Sequence, residues 1–182
     1  LMRSAASAKV RFVVEVPAEG VAVEADPSRL QQVVLNLVTN AAQAIGARAG
    51  TVRVSVKSEE GSDDGARKAV LLVEDDGCGM TAETMQRIFE PFFTTKEQGE
   101  GSGWGLAVAH AAIREMGGSI GVRSVPGQGT TFAVELPEVE VAHDAGPADS
   151  GIFDRNCLPR SAGAVRLLLV DDEPLILSAY AE

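Results

Sequence analysis

The spacing of apolar side chains predicts a chain built partly from short strands. Apolar and polar residues alternate over residues 10–16, which places four apolar side chains on one face of a strand, namely Val10, Phe12, Val14 and Val16. A shorter apolar stretch over residues 21–24 predicts a second strand, and the two-residue period returns over residues 51–57 and 69–74. Residues 58–68 are polar and predict a solvated, hairpin-like loop between the last two strands.

Two segments have the three- and four-residue spacing of amphipathic helices. The first begins at Asp26 and Pro27, because aspartate accepts from the free amides of a helix start and proline needs no donor there. It ends at Gly46, and its predicted buried stripe is Leu30, Val34, Leu37, Ala41 and Ile45. The second helix follows a glycine-rich segment over residues 99–105 and ends at residues 117–118. Its predicted stripe is Leu106, Ala109, Ile113 and Met116.

The rest of the chain predicts a hairpin, a linker and the start of another domain. Strands over residues 119–125 and 130–136 flank a turn over residues 126–129. Residues 138–163 have no period and contain acidic residues, Pro, Gly and Ala, which predicts a linker. An apolar run over residues 165–170 then ends at three acidic residues. The predicted organisation is a first domain, a linker and a truncated second domain, over residues 1–137, 138–163 and 164–182 respectively.

Composition and charge exclude several classes of function. The chain has 182 residues, a formal charge of -10 and no run of Lys and Arg, which disfavours nucleic acid and direct membrane contact. Aromatic residues are only 4%, too few for base-stacking platforms. The two cysteines, Cys78 and Cys157, fit neither a disulfide framework nor a zinc motif, so we expect a reducing, cytoplasmic compartment. Because the first residue is Leu1, we expect an internal piece of a longer protein.

Uncharged amide side chains form a stripe on the first helix. Asn36 and Asn40 are four residues apart and project from one face, with Gln32 and Gln43 in line. A solvated helix face is the simpler interpretation of two asparagines at this spacing. Asparagine lowers helix propensity, however, and an amide oxygen is a hard ligand suited to Mg²⁺ that a nucleotide phosphate partly neutralises.

An acidic residue followed by glycines comes directly after the apolar strand at residues 70–73. In this Asp75-Asp76-Gly77-Cys78-Gly79 segment, the glycines permit tight turning and close approach of a ligand. A simple turn explains the segment equally well. The alternative is a carboxylate at the floor of a pocket that accepts a hydrogen bond from a ligand donor, such as an adenine amino group.

The glycine-rich segment at residues 99–105 places backbone amides at a helix N-terminus, where anions bind. The spacing matches neither the P-loop nor the dinucleotide fingerprint. The neighbouring segment, residues 89–96, contains three phenylalanines. They predict either a local core cluster or the anchoring side chains of a mobile lid over residues 89–103.

Taken in order, these segments resemble four boxes of the histidine kinase ATP-binding domain. The N, G1, F and G2 boxes of that family are similar to Asn36–Ala41, Asp75–Gly79, Phe89–Lys96 and Gly101–Leu106, and its final glycine-threonine segment is similar to Gly127–Phe132. The resemblance covers residues 10–137. It implies a Bergerat-type α/β fold, a two-layer sandwich of a mixed sheet with helices on one face, and ATP held between the helix layer and the lid.

The resemblance also implies roles for individual residues on the first helix and after the strand. Asn40 would be the Mg²⁺ ligand, and Asn36 would assist catalysis near the phosphates. Asp75 would recognise adenine in a pocket shaped by Gly77 and Gly79.

Further binding residues follow from the remaining boxes. Thr130 would support the adenine side through its hydroxyl, and Lys96 is the best-placed cation near the lid. The implied phosphate-binding segment consists of Gly101, Gly103, Gly105 and Leu106. The chain departs from the family pattern at two positions. Gln43 occupies a position that is often basic, which weakens phosphate binding there or shifts it to Lys96. Trp104 replaces a smaller aliphatic residue, so packing of the lid is expected to differ.

The implied function is that of the catalytic domain of a hybrid sensor histidine kinase, which transfers the γ-phosphate of Mg-ATP to a histidine. That histidine is expected on a helical dimerisation domain upstream, since His110 and His143 lie outside a phosphoacceptor context. The tail over residues 167–174 resembles the start of a response-regulator receiver domain. Two alternatives keep the fold: a nucleotide-binding module that does not phosphorylate, and an ATPase of the gyrase or chaperone type, which uses a glutamate where this chain has Asn36.

Overall fold

The computed structural model of the protein describes residues 10–18, 20–61, 66–96 and 102–139, together with the backbone of two strands at residues 164–169 and 177–179. The strands are β1 Val10–Glu15, β2 Ala22–Glu24, β3 Gly50–Glu60, β4 Arg67–Asp75, β5 Ser119–Val125, β6 Gly129–Pro137, β7 Ala164–Leu169 and β8 Leu177–Ala179. The helices of the described part are α1 Pro27–Ile45, α2 Ala82–Arg87 and α3 Gly105–Glu115.

The main sheet has five strands in the order β1-β3-β4-β6-β5. Strand β1 is parallel to β3, whereas the pairs β3–β4, β4–β6 and β5–β6 are antiparallel, so the sheet is mixed. Helices α1 and α3 contact each other and pack on this sheet. The structure confirms the predicted two-layer α/β sandwich.

Local sequence signals explain the bounds of α1. The Asp26 side chain accepts a hydrogen bond from the Arg29 amide at 3.1 Å, and proline occupies the first turn. Gly46 ends the helix with a φ of 67°, a conformation that glycine adopts without steric cost. The predicted apolar stripe of α1 is buried, and Val33 and Val38 broaden it.

The core lies between the sheet and the two longer helices. Its fully buried large side chains come from both layers: Leu37, Val33 and Val34 on α1, Ile113 on α3, and Val52, Val73 and Val134 on the sheet. Beyond this core, β1 forms an edge of the sheet, and Val14 keeps 42% of its side chain exposed. The alternation over residues 10–16 therefore identified the strand, but its apolar face is only partly covered.

Two predicted boundaries differ from the structure. The loop predicted over residues 58–68 is shorter, because β3 continues to Glu60 and β4 begins at Arg67. Glu59 is opposite Lys68 and Glu60 is opposite Arg67 in the β3–β4 register, so strand pairing continues into the polar segment. The two basic side chains form ion pairs elsewhere, Arg67 with Glu138 and Lys68 with Glu135. Helix α2 was not predicted. Its signal is the Thr81 hydroxyl, which accepts from the Thr84 amide at 3.2 Å, but a six-residue helix has too few turns to show a period.

The tail contains the strand predicted after the linker. Strand β7 pairs antiparallel with β2, and β8 pairs antiparallel with β7. Residues 140–163 and the acidic residues 171–173 lie outside the described residues. Within the described part, no helix has the length and hydropathy that a membrane crossing requires.

Candidate functional site

A cavity of about 630 Å³ opens between α1, the end of β4, the segment after α2 and the start of α3. Its volume lies in the range of sites for small molecules and nucleotides. The structure brings most of the predicted site residues to its wall: Asn36, Asn40, Gln43, Asp75, Gly79, Lys96, Gly103, Gly105, Leu106 and Thr130. Gly77 lies just behind this wall, and Gly101 lies outside the described residues.

Asp75 forms the floor of the cavity. It is the last residue of β4, its side chain is only 9% exposed, and its Oδ1 accepts a hydrogen bond from the Gly77 amide at 2.7 Å. Burial raises the pKa of the Asp75 carboxyl, and the amides of Gly77 and Thr130 oppose that shift. A carboxylate held in this way keeps acceptor positions for a ligand in the cavity.

The neighbouring Asp76 has a different role. Both of its carboxylate oxygens accept from the Thr51 amide at 3.1 Å, which ties the chain after β4 to β3. The side chain is exposed and does not line the cavity. Of the two consecutive aspartates, the fold therefore directs only Asp75 into the site.

Two glycines of the segment after Asp75 are required by close contacts. A Cβ on Gly77 would lie 2.7 Å from the Cβ of Ala44, so glycine lets this segment approach α1. Gly79 has a φ of 65°, and a Cβ there would lie 2.0 Å from the carbonyl oxygen of Val125. The prediction that these glycines shape the pocket agrees with their position, although binding by either remains a prediction.

Thr130 lies beside Asp75 on the neighbouring strand. The two residues are register partners of β6 and β4, and Thr130 is only 6% exposed. Its hydroxyl lies 3.0 Å from the hydroxyl of Ser124 on β5. Ser124 was missed by the sequence analysis because its partners are distant in sequence or separated by a turn.

Three residues of the amide stripe on α1 line the cavity, namely Asn36, Asn40 and Gln43. Asn36 uses both ends of its amide within the protein: Oδ1 accepts from Gln32 Nε2 and Nδ2 donates to the carbonyl oxygen of Gly105, each at 3.0 Å. Asn36 therefore joins α1 to the first residue of α3. Its part in catalysis remains a prediction, and this structure shows it as a link between the two helices.

Lys96 lies against the far end of the stripe. Its ammonium nitrogen is 3.4 Å from Asn40 Oδ1 and also donates to Gln43 Oε1. The two amide oxygens thus converge on a single cation. Gln43 occupies the position that is often basic in the family that this chain resembles, and it contacts Lys96 from another segment.

Two aromatic rings join the ends of the predicted lid. The Phe92 amide donates to the Gly103 carbonyl oxygen at 3.1 Å, and the Phe92 and Trp104 rings meet edge to face at 4.7 Å. Phe92 has a φ of 66°, which is uncommon for a residue with a side chain. Phe89 and Phe93 pack on the core, so the three phenylalanines divide between core and surface. Residues 97–101 of the predicted lid lie outside the described residues.

The described part of the cavity wall has few charged side chains. Among the described residues of the cavity wall, Asp75 is the one carboxylate and Lys96 is the one cationic side chain. No cluster of three or more His, Cys, Asp or Glu side chains in the described part could hold a metal ion by itself. A divalent cation at Asn40 would therefore need further ligands from the anionic groups of a bound molecule.

Comparisons with known proteins identify relatives of this chain. A family model described as "Histidine kinase-, DNA gyrase B-, and HSP90-like ATPase" matches residues 25–140. The sensor histidine kinase ZraS of Salmonella typhimurium is 43% identical over 122 residues, which cover 67% of this chain and 24% of ZraS. The sensor kinase CckA of Brucella abortus is 33% identical over 165 residues, which cover 85% of this chain and 17% of CckA.

The fold has close counterparts among solved structures. A nucleotide-free form of the catalytic domain of histidine kinase ThkA matches with a TM-score of 0.59 and 34% identity, and the match covers 71% of this chain and 81% of that one. The match therefore covers most of the ThkA catalytic domain. In contrast, this chain spans less than a quarter of the length of ZraS and of CckA.

Proposed function

The chain belongs to the family of histidine kinase-, DNA gyrase B- and HSP90-like ATPases, and from this premise we propose that its cavity binds Mg-ATP for phosphoryl transfer to a protein histidine. One observation carries the proposal: a buried carboxylate and a stripe of uncharged amides line the same cavity. The carboxylate suits the amino group of adenine, and the amides suit a hydrated cation and phosphates. ATP has these two kinds of group at its two ends.

The amide stripe fits Mg²⁺ in the chemistry of its donors. Asn40 Oδ1 and Gln43 Oε1 already contact a cation, the Lys96 ammonium, which stands in for a metal ion at these oxygens. Neutral oxygen ligands bind Mg²⁺ when phosphates supply the negative charge. We propose that Asn40 holds the ion. The ion would neutralise charge on the β- and γ-phosphates during transfer.

The residues of this chain would bind and orient the nucleotide. Asp75 and Thr130 would hold the base, and Lys96 would leave the amide oxygens to contact phosphate oxygens. Asn36 is a positioning residue, because its hydrogen bond to Gly105 fixes the start of α3, where free amides favour anions. An imidazole nitrogen of the partner would bond to the γ-phosphorus as the bond to the bridging oxygen breaks and ADP leaves.

The amide side chain at position 36 favours histidine transfer over hydrolysis of water. In the gyrase-like alternative a glutamate activates water, whereas here the corresponding residue is Asn36, whose amide is engaged with Gln32 and Gly105. We also propose that the histidine belongs to an upstream helical domain and that residues 164–182 begin a receiver domain. The apolar run at residues 165–170, which is followed by three acidic residues, is the observation behind the second point.

Phosphotransfer with radiolabelled ATP tests this function. The chain alone should bind ATP but label no protein, and the chain joined to the preceding segment of its own protein should label a histidine. The label should be acid-labile and base-stable, as expected of a phosphorylated imidazole. Steady ATP hydrolysis by the chain alone, abolished in Asn36→Ala, would instead assign the protein to the ATPase class.

The affinity for ATP should fall as the pH is lowered from neutral through the raised pKa of the Asp75 carboxyl. The Asp75 pKa is raised, so its carboxylate takes up a proton at a higher pH than an ordinary aspartate and loses an acceptor for the adenine amino group. The same shift stabilises the empty folded protein on acidification, because the folded state binds the proton more tightly than the unfolded chain. Calorimetric titration at several pH values measures the affinity.

The matched control is Asp75→Asn, which keeps an oxygen for the Gly77 amide but has no proton to gain in this range. The phosphates of ATP also titrate in this pH range, and the pH dependence of ATP affinity in Asp75→Asn reports the contribution of the phosphates without that of the Asp75 carboxylate. An identical pH profile in both proteins would show that the carboxylate of Asp75 does not contact the ligand.

Replacing Asn40 by alanine should remove most of the gain in ATP affinity that Mg²⁺ provides, about tenfold, while affinity without Mg²⁺ changes little. The melting temperature should stay near that of the wild type, since Asn40 lies on the cavity wall and not in the core. Calorimetry with and without Mg²⁺ checks this. Gln31→Ala, at an exposed position of the same helix, serves as the control. Equal losses with and without the ion would contradict the proposed metal contact.

A further inference from the structure

We propose that Ser124 is a specificity-determining positioning residue that makes the Thr130 hydroxyl a hydrogen-bond acceptor toward the cavity. Together with Asp75, this would select purine nucleotides that carry an exocyclic amino group at the six-position. The inference rests on the proposed function, because it concerns the base-binding end of the same cavity. Ser124 itself does not line the cavity and would act through Thr130.

Three polar groups surround the Ser124 hydroxyl. The Met80 amide donates to Ser124 Oγ at 2.8 Å, and Ser124 Oγ donates to the Gly129 carbonyl oxygen at 2.9 Å. The third contact is with the Thr130 hydroxyl at 3.0 Å. One side chain on β5 thereby links the segment after β4 to the start of β6, which includes the cavity-wall residue Thr130.

The number of protons decides the direction of the third contact. A serine hydroxyl has one proton to donate and two lone pairs that accept. The Gly129 carbonyl has no proton, so the 2.9 Å contact requires the Ser124 proton. The Met80 amide fills one lone pair of Ser124, and the other is free for a donor. Thr130 therefore donates its hydroxyl proton to Ser124.

Thr130 then has only lone pairs left for the cavity. Beside it, Asp75 also presents acceptors: one of its oxygens receives the Gly77 amide, and a carboxylate has no proton to donate. Two neighbouring acceptors match the two protons of one amino group. A carbonyl oxygen at the same place would face both acceptors and leave them without a partner, which costs affinity.

Binding of three nucleotides tests the inference: ATP, inosine triphosphate, which has a carbonyl at the six-position, and purine riboside triphosphate, which has no substituent there. The preference for ATP over inosine triphosphate should fall about tenfold in Ser124→Ala, because the freed Thr130 hydroxyl can then donate to the carbonyl. Thr130→Val should reduce the preference by a similar factor. Ser124→Thr keeps the hydroxyl and should keep the preference.

The double variant Ser124→Ala/Thr130→Val separates positioning from a structural effect. If Ser124 acts through Thr130, the double variant has the same preference as Thr130→Val alone. Affinity for purine riboside triphosphate reports any general loosening of the pocket, because this ligand has neither an amino nor a carbonyl group there. Ser119→Ala, an exposed serine on the same strand, should behave as wild type.

Two outcomes would overturn the inference alone. In the first, Ser124→Ala lowers affinity for all three nucleotides by the same factor, so that the preference is unchanged. In the second, Ser124→Ala still changes the preference in the Thr130→Val background. Failure of the wild-type chain to bind ATP would overturn the proposed function as well, and the two failures are therefore distinguishable.

Discussion

Replacing Asp75 by alanine should weaken ATP binding at least about 100-fold, because the adenine amino group would lose a charged acceptor that is preorganised by burial and by the Gly77 amide. Asp75→Asn should weaken ATP binding strongly as well, because the amide nitrogen of asparagine is a donor and would face the adenine amino group, which is also a donor. We expect the free energy of unfolding of Asp75→Asn to stay within about 1 kcal/mol of the wild-type value, because burial destabilises the charged carboxylate of the wild type. Calorimetry and urea unfolding measure the two quantities.

The neighbouring aspartate provides a matched control. Asp76→Asn alters a carboxylate one residue away that bonds to the Thr51 amide and does not line the cavity, so ATP affinity should remain near that of the wild type. Equal losses in Asp75→Asn and Asp76→Asn would mean that the segment, and not the Asp75 contact, determines binding. Equal affinity of the wild type for ATP and GTP would also contradict the assignment of Asp75 to adenine.

Gly129→Ala should destabilise the fold by about 3 to 5 kcal/mol, from backbone strain and overpacking together. Gly129 has a φ of 110°, and a Cβ there would lie 1.9 Å from the Asp75 carbonyl oxygen. Relief of this clash requires β4 and β6 to separate at the floor of the cavity. Nucleotide affinity should therefore be lost together with stability, which urea unfolding and calorimetry would measure.

Two glycines nearby separate the causes of that loss. Gly127 has a φ of 77° with no atom within 4 Å of an added Cβ, so Gly127→Ala should cost only about 1 kcal/mol of backbone strain. Gly121 lacks both constraints, and Gly121→Ala should change stability by less than about 0.5 kcal/mol. If Gly129→Ala were no more destabilising than Gly127→Ala, the close approach of β6 to Asp75 would be disproved.

Local sequence signals predicted most of the elements correctly. The first helix, the second helix and the closing hairpin depend on caps, periodicity and turn residues that lie within a few positions of one another. The loop over residues 58–68 was predicted too long because the deciding contacts are not local. The pairing of β3 with β4 continues across the sheet to Glu60 and Arg67, whereas polarity along the chain indicates only a loop.

The sequence by itself determined the residue types that the site needs: an amide stripe on a helix, an aspartate after a strand, and glycines at tight turns. Only the tertiary structure decided what those residues contact. It gave Asn36 a link to Gly105, placed Lys96 on Gln43, and surrounded Ser124 with groups from two other segments, the one after β4 and the start of β6. Periodicity and capping are properties of neighbours along the chain, whereas the direction of a hydrogen bond depends on every donor and acceptor that folding brings within about 3 Å.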